Sequence, residues 1–113
     1  MTNVLVVEDH GDTAFLLTQL IASTIADANI AVAHTSETAI PQIAWADLII
    51  SDFNFPTQGF PSLLPIIQAA RIKFILQTAD YTCLRCYDPT LQLASVHKGI
   101  DFVPKMRSVL QSI

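Results

Sequence analysis

Five short apolar runs punctuate the chain, and between them apolar residues recur at helical spacing. Val4 to Val7 is an unbroken run of Leu and β-branched residues that stops at Glu8-Asp9, the pattern of a strand buried on both faces. Asp12 then caps a predicted helix whose apolar positions Leu16, Leu17, Leu20, Ile21 and Ile25 share a side. Ile30 to Ala33 predicts a second strand, and Ser36-Glu37 opens a short second helix limited by Pro41. Leu48-Ile49-Ile50 predicts a third strand running into Asp52, followed by a helix over 61–70 with Pro61 in its first turn and Pro65 inside it. Ile72 to Leu76 predicts the fourth strand. Asp88-Pro89, apolar positions up to Val96 and then Lys98-Gly99 carry the cap, first-turn proline, last-turn cation and terminal glycine of a fourth helix. Phe102-Val103 then predicts a fifth strand, and Val109, Leu110 and Ile113 lie on one face of a short last helix.

Strand and helix thus alternate five times, which implies right-handed crossovers and a parallel sheet covered on both sides. With 113 residues, one domain over 1–113 is expected, without room for a second core or an effector domain. Only 14% of the residues are charged while 51% are hydrophobic, so uncharged or apolar groups must cover much of the surface, which favours a partner-binding face. The uncharged stretch between Asp12 and Asp27 is broken by Thr18, Gln19, Ser23 and Thr24, so no membrane span is expected there. No basic residue precedes the short apolar run at Val4 to Val7, which speaks against a signal peptide. Two cysteines without such a signal suggest a reducing, cytoplasmic setting.

The net charge of −4 hides an asymmetry: residues 1 to 57 hold seven acids and no Lys or Arg, whereas residues 58 to 113 hold three acids and six bases. An acidic half suits a cation and repels nucleic acid, so direct nucleic-acid binding is not expected.

In open α/β sheets reactive groups lie beyond the carboxyl ends of the strands. Those ends supply Glu8 and Asp9 after the first strand, Asp52 after the third, Thr78 after the fourth and Lys105 after the predicted fifth. With strand order 2-1-3-4-5 all five converge on one edge. Three carboxylates together repel each other unless a cation joins them, and hard oxygen ligands around an open position suit Mg²⁺. Such a site fits phosphoryl transfer: Asp52 as nucleophile, Lys105 and Mg²⁺ neutralising charge, and the Thr78 hydroxyl bonding the attached group.

The spaced elements Val6-Val7-Glu8-Asp9, Asp47 to Asp52 with Pro56, Gln77-Thr78-Ala79, Gly99, and Asp101-Phe102-Val103-Pro104-Lys105 resemble those of the receiver domains of two-component response regulators, over essentially the whole chain. The resemblance implies a flavodoxin-like, doubly wound five-stranded parallel sheet of order 2-1-3-4-5 with helices on both faces, and a single-domain phosphoacceptor. It implies that Asp52 takes phosphate from a histidine kinase or histidine phosphotransferase, that Glu8, Asp9, Asp52 and the Asn54 carbonyl hold Mg²⁺, and that Thr78 and Phe102 rearrange as the switch. It further places Asn54 and Asp80 beside the hydrolytic water, implying rapid self-dephosphorylation. The downstream target stays open, and a homodimer is possible. The sequence departs from the family where Gly59 closely follows Pro56, where Met106 follows the lysine in place of a proline, and where Tyr81 to Tyr87 lengthen the path from Thr78 to Lys105.

Two other functions share these features. A module of the same fold could bind a partner without phosphorylation. An aspartate-nucleophile phosphatase of the haloacid dehalogenase type also uses Asp, Thr, Lys and Mg²⁺, but with the nucleophile on its first strand and a second acid where this chain has Asn54. Cys83 and Cys86 form a lone CxxC without a second pair, more consistent with an incidental loop pair than with zinc or redox chemistry. Phe15 falls between core positions of the first helix and either contacts a partner or packs against a loop; Tyr81 and Tyr87 read as loop packing or a binding site.

Overall fold

The computed structural model describes residues 2–113. Strands β1 (Thr2–Val7), β2 (Ala28–Ala33), β3 (Leu48–Asp52), β4 (Lys73–Thr78) and β5 (Gln92–His97) alternate with helices α1 (Gly11–Thr24), α2 (Ser36–Ala39), α3 (Phe60–Ala70) and α4 (Phe102–Gln111). The strands form one parallel sheet in the order β2-β1-β3-β4-β5, the flavodoxin-like arrangement expected from the sequence.

The alternation of side chains divides the core between the two faces of the sheet. Val4 and Val6 of β1, Leu48 and Ile50 of β3 and Ile75 of β4 pack with Leu17, Leu20 and Ile21 of α1 and with Phe102, Met106 and Leu110 of α4. Leu5, Val7, Ile49, Phe74 and Leu76 face the other way, toward Ala39 of α2, Ile43 of the 3-10 turn 40–45, and Phe60, Leu63 and Ile67 of α3. Because both faces are covered, β1 and β3 read as continuous apolar runs. Both stop at acids, which places Glu8, Asp9 and Asp52 together at the carboxyl edge.

One local expectation changes. The residue capping α1 is His10, without a side-chain cap bond, and Asp12 stands instead in the first turn, where its charge complements the helix dipole. Gly59 precedes α3 at φ +72°, and a Cβ there would lie 2.8 Å from the Phe53 carbonyl oxygen. Only glycine lets the chain turn this close to the end of β3.

The larger correction is at the C-terminal end. The expected helix from Asp88 to Lys98 is a turn followed by β5, and the expected strand at Phe102-Val103 is the start of α4. Asp88 does act as a cap: its Oδ1 accepts from Thr90 N at 2.9 Å, Thr90 Oγ1 at 2.7 Å and Leu91 N at 3.0 Å. The chain leaves that turn extended because pairing with β4 buries Val96 and Leu91. Phe102, Met106 and Leu110, spaced by four, form the buried stripe of α4. The segment Tyr81 to Tyr87 is therefore no insertion before a helix but part of the β4–β5 connection itself, residues 79–91, whose only regular element is the 3-10 turn Tyr81–Cys83. Tyr87 closes the core beneath it, its ring 5.5 Å from Phe53 and 6.0 Å from Phe60. No helix among the described residues is long and apolar enough to cross a membrane.

Candidate functional site

Glu8, the first residue after β1, has no exposed surface. Burial pushes its carboxyl above the ordinary carboxylate range, against the hydrogen bond and charge of Lys98. Its Oε1 accepts from Lys98 Nζ and from Gln77 Nε2 at 3.1 Å, and its Oε2 accepts from His10 N at 3.2 Å. Asp52 ends β3 nearly buried; its Oδ1 accepts from Phe53 N at 2.8 Å and its Oδ2 from Lys98 Nζ at 3.0 Å. One ammonium thus ties together the carboxylates that end β1 and β3.

That ammonium belongs to Lys98, the first residue after β5, and not to Lys105. Lys105 lies one turn into α4, 62% exposed, with Nζ 3.1 Å from Asp101 Oδ2. The displacement follows directly from the misplaced fifth strand. Sequence reasoning missed Lys98 because Lys98-Gly99 resembles a helix end. The period of Phe102, Met106 and Leu110 was the available signal that the strand must come earlier.

Thr78 ends β4, 1% exposed, and its Oγ1 accepts from Asp80 N at 3.1 Å. Asp52, Asn54, Thr78, Asp80 and Lys98 line one open cavity of about 600 Å³, so the structure brings together the expected acceptor, hydroxyl and water-flanking residues, with Lys98 where Lys105 was expected. The Asp80 carboxylate is turned toward its own loop: Oδ1 accepts from Thr82 N at 2.9 Å and Thr82 Oγ1 at 2.7 Å, and these bonds hold its carboxyl below its ordinary value. Phe102, expected on a fifth strand, is not at a strand end. It is buried in the first turn of α4, in the core on the α1 side. Beside Thr78 stands His97, its partner in register across β4–β5, stacked on exposed Tyr81 at 3.8 Å and with Nε2 3.2 Å from the Ala79 carbonyl oxygen. Phe15 is 67% exposed on α1, so it does not pack against a neighbouring loop.

The residues fit a divalent cation. Asp9 Oδ1 is buried without a hydrogen-bond partner among the described residues. Glu8, Asp9 and Asp52 with Lys98 leave a local charge of −2, which one divalent ion neutralises. Ligand atoms of Glu8, Asp9, His10 and Asp52 all lie within 4.8 Å of one another.

No protein-family model matches the chain, and no curated protein matches it. Solved structures do. A response regulator receiver domain from Clostridium thermocellum superposes with a TM-score of 0.79 at 13% identity, over 99% of this chain and 93% of that one. The signal receiver domain of a DNA-binding response regulator from Colwellia psychrerythraea gives 0.72 at 19% identity, over the whole of both chains. A variant of the anti-anti-sigma factor PhyR from Bartonella quintana gives 0.75 at 22% identity; 98% of this chain is covered, but only 48% of that one. By strand order, layering and superposition, this chain has the fold of the signal receiver domains.

Proposed function

We propose that this chain is a phosphoacceptor switch, with Asp52 the acceptor and Lys98 the cation that serves it. The observation that carries this reading is the Lys98 ammonium at 3.0 Å from Asp52 Oδ2, with buried Thr78 on the strand between them and an open cavity in front. A carboxylate oxygen of Asp52 attacks the phosphorus of a phosphohistidine on a kinase or phosphotransferase partner. The new P–O bond forms as the P–N bond breaks, and the departing imidazole keeps the electron pair and takes a proton. Lys98 faces the charge that builds on the transferred oxygens. Glu8, Asp9, Asp52 and the Asn54 carbonyl would hold a divalent ion such as Mg²⁺, which supplies further neutralisation of that charge.

The switch begins at Thr78. Its hydroxyl oxygen is engaged by Asp80 N; swinging toward a phosphoryl group on Asp52 breaks that bond and releases the 79–91 connection. The Tyr81–His97 stack, in which His97 is the register partner of Thr78 and Tyr81 lies three residues beyond it, takes the place that sequence reasoning gave to Phe102. Asn54 and Asp80 flank the cavity where the hydrolytic water would approach, so self-dephosphorylation depends on Asp80 turning away from Thr82. Exposed Phe15 on α1 serves partner contact.

The test is intact mass after incubation with Mg²⁺ and a small phosphodonor, followed by hydroxylamine, which cleaves an acyl phosphate. A hydroxylamine-labile phosphoryl adduct, absent in Asp52→Asn, supports the switch. Steady turnover of phosphate esters would indicate a phosphatase, and neither outcome would leave a partner-binding module of the same fold.

A further inference from the structure

Among the described residues Gln77 is the only fully buried amide side chain. It stands on β4 opposite Asp52 of β3 and opposite Val96 of β5, one residue before Thr78. By alternation its side chain shares a face of the sheet with Ile75, which packs in the core beneath α1 and α4. A Leu at this position would continue that core and leave no polar atom to satisfy. Gln77 makes one side-chain hydrogen bond among the described residues, from Nε2 to Glu8 Oε1 at 3.1 Å, and its own Oε1 is buried without a partner. An unmet buried carbonyl costs stability, and such breaches of packing rules collect where function requires them.

The bond to Glu8 shows what the amide does. Glu8 Oε1 also accepts from the Lys98 ammonium, and a carboxylate oxygen in that role has no proton to offer, so Gln77 must meet it with its NH₂. The same ammonium reaches Asp52 Oδ2 at 3.0 Å. His10 N holds the other Glu8 oxygen, and Gln77 fixes Oε1 from the strand that pairs with Asp52. A Glu side chain turns about three bonds, so without the donor from β4 the oxygen and its ammonium are free to shift together away from Asp52.

We infer that Gln77 is a positioning residue: it holds the Glu8 carboxylate where that carboxylate sets the Lys98 ammonium against Asp52, and its unsatisfied carbonyl is stability given up for this placement. The inference rests on the phosphoacceptor reading above and adds a residue that acts only through Glu8 and Lys98.

The test compares wild type, Gln77→Leu, Lys98→Met and the double variant, with Gln77→Met as a second, unbranched replacement. Three quantities are read: the urea midpoint, the exchange-protected Lys98 ammonium resonance in ¹⁵N NMR without metal or phosphodonor, and the initial rate of phosphoryl uptake from a small phosphodonor in saturating Mg²⁺. Gln77→Leu should keep or raise the urea midpoint, lose the protected ammonium signal and take up phosphoryl groups roughly tenfold more slowly. In the Lys98→Met background the same replacement should slow uptake no further. A wild-type ammonium signal and rate in Gln77→Leu would overturn the inference. An equal rate loss with and without Lys98 would overturn it too, because the amide would then act by another route. A fall in midpoint as large as that of Lys98→Met, or failure of both Gln77 variants to fold, would show that Gln77 holds the fold and not the cation. If the wild type takes up no phosphoryl group, the phosphoacceptor reading falls, while the ammonium resonance still decides whether Gln77 places Lys98.

Discussion

Replacing Lys98 by Met keeps the length of the side chain and removes the ammonium shared by Glu8 and Asp52, so the cost should fall on the more buried acid. Left charged and unpaired, a buried carboxylate costs about 3–5 kcal/mol. Glu8 has an escape, because it can take up a proton. Starting from its ordinary value of 4.5, protonation at pH 7 costs about 1.4 kcal/mol per pH unit, or about 3.4 kcal/mol in all. The part of the destabilisation that falls on Glu8 is therefore capped at about 3.4 kcal/mol at pH 7 and at about 0.7 kcal/mol at pH 5. The sign follows from the direction of the shift. Burial raises the carboxyl of Glu8 in the folded state, so its contribution is fully present below pH 4.5 and is lost as pH rises through the raised value. Lys98→Met removes the two largest effects that oppose burial, leaving only the bond from His10 N, and carries that loss to higher pH. The assay is urea unfolding of wild type, Lys98→Met and Lys105→Met at pH 5, 6 and 7. Lys105→Met should track wild type throughout, because Lys105, itself largely exposed, pairs only with Asp101 at the start of its own helix. A Lys98→Met loss of the same size at pH 5 and pH 7, or a Lys105→Met loss as large as that of Lys98→Met, would refute the reasoning.

Three further outcomes test the parts that hold the site in place. Tyr87→Ala should cost about 2–4 kcal/mol by removing the ring packed on Phe53 and Phe60, whereas Tyr87→Phe should cost only about 1 kcal/mol for the bond to the Cys83 carbonyl; thermal unfolding distinguishes them. Gly59→Ala should destabilise by about 2 kcal/mol or more, from a positive φ and the approach to the Phe53 carbonyl, and equal denaturation midpoints would contradict this. The bonds from Thr90 and Leu91 and from Gln68 hold Asp88 down at about 2. The turn they form is thus intact above pH 3.8 and opens as pH falls through about 2, which the Thr90 and Leu91 amide shifts should report with a midpoint near that value.

Much of this architecture was legible in the residues because both faces of the sheet are covered. Val4 to Val7 and Leu48 to Ile50 could be read as strands without knowing their neighbours, and the acids that end them named the site. β5 was not legible for a physical reason. Gln92–His97 is an edge strand with only Val96 fully buried, so Leu91 to His97 lacks both the unbroken apolar run and the β-branched content of a central strand. Its preceding turn uses an aspartate cap and a proline, chemistry shared with helix starts, since both satisfy free backbone N–H groups. Misplacing that one strand put Lys105 rather than Lys98 beside Asp52, and Phe102 rather than His97 in register with Thr78. The inward turn of Asp80 and the position of His10 against two carboxylates depend on side-chain torsions that no spacing rule encodes.

The central claim is that Asp52 accepts a phosphoryl group with the help of the cation at the end of β5. It is tested most directly by the initial rate of phosphoryl uptake from one small phosphodonor, in saturating Mg²⁺, for wild type, Asp52→Asn, Lys98→Met and Lys105→Met, each first shown to be folded. The expected result is no uptake by Asp52→Asn, uptake slowed by roughly a hundredfold or more in Lys98→Met, and a wild-type rate in Lys105→Met. Uptake by Asp52→Asn at the wild-type rate, or a loss in Lys105→Met with none in Lys98→Met, would contradict it.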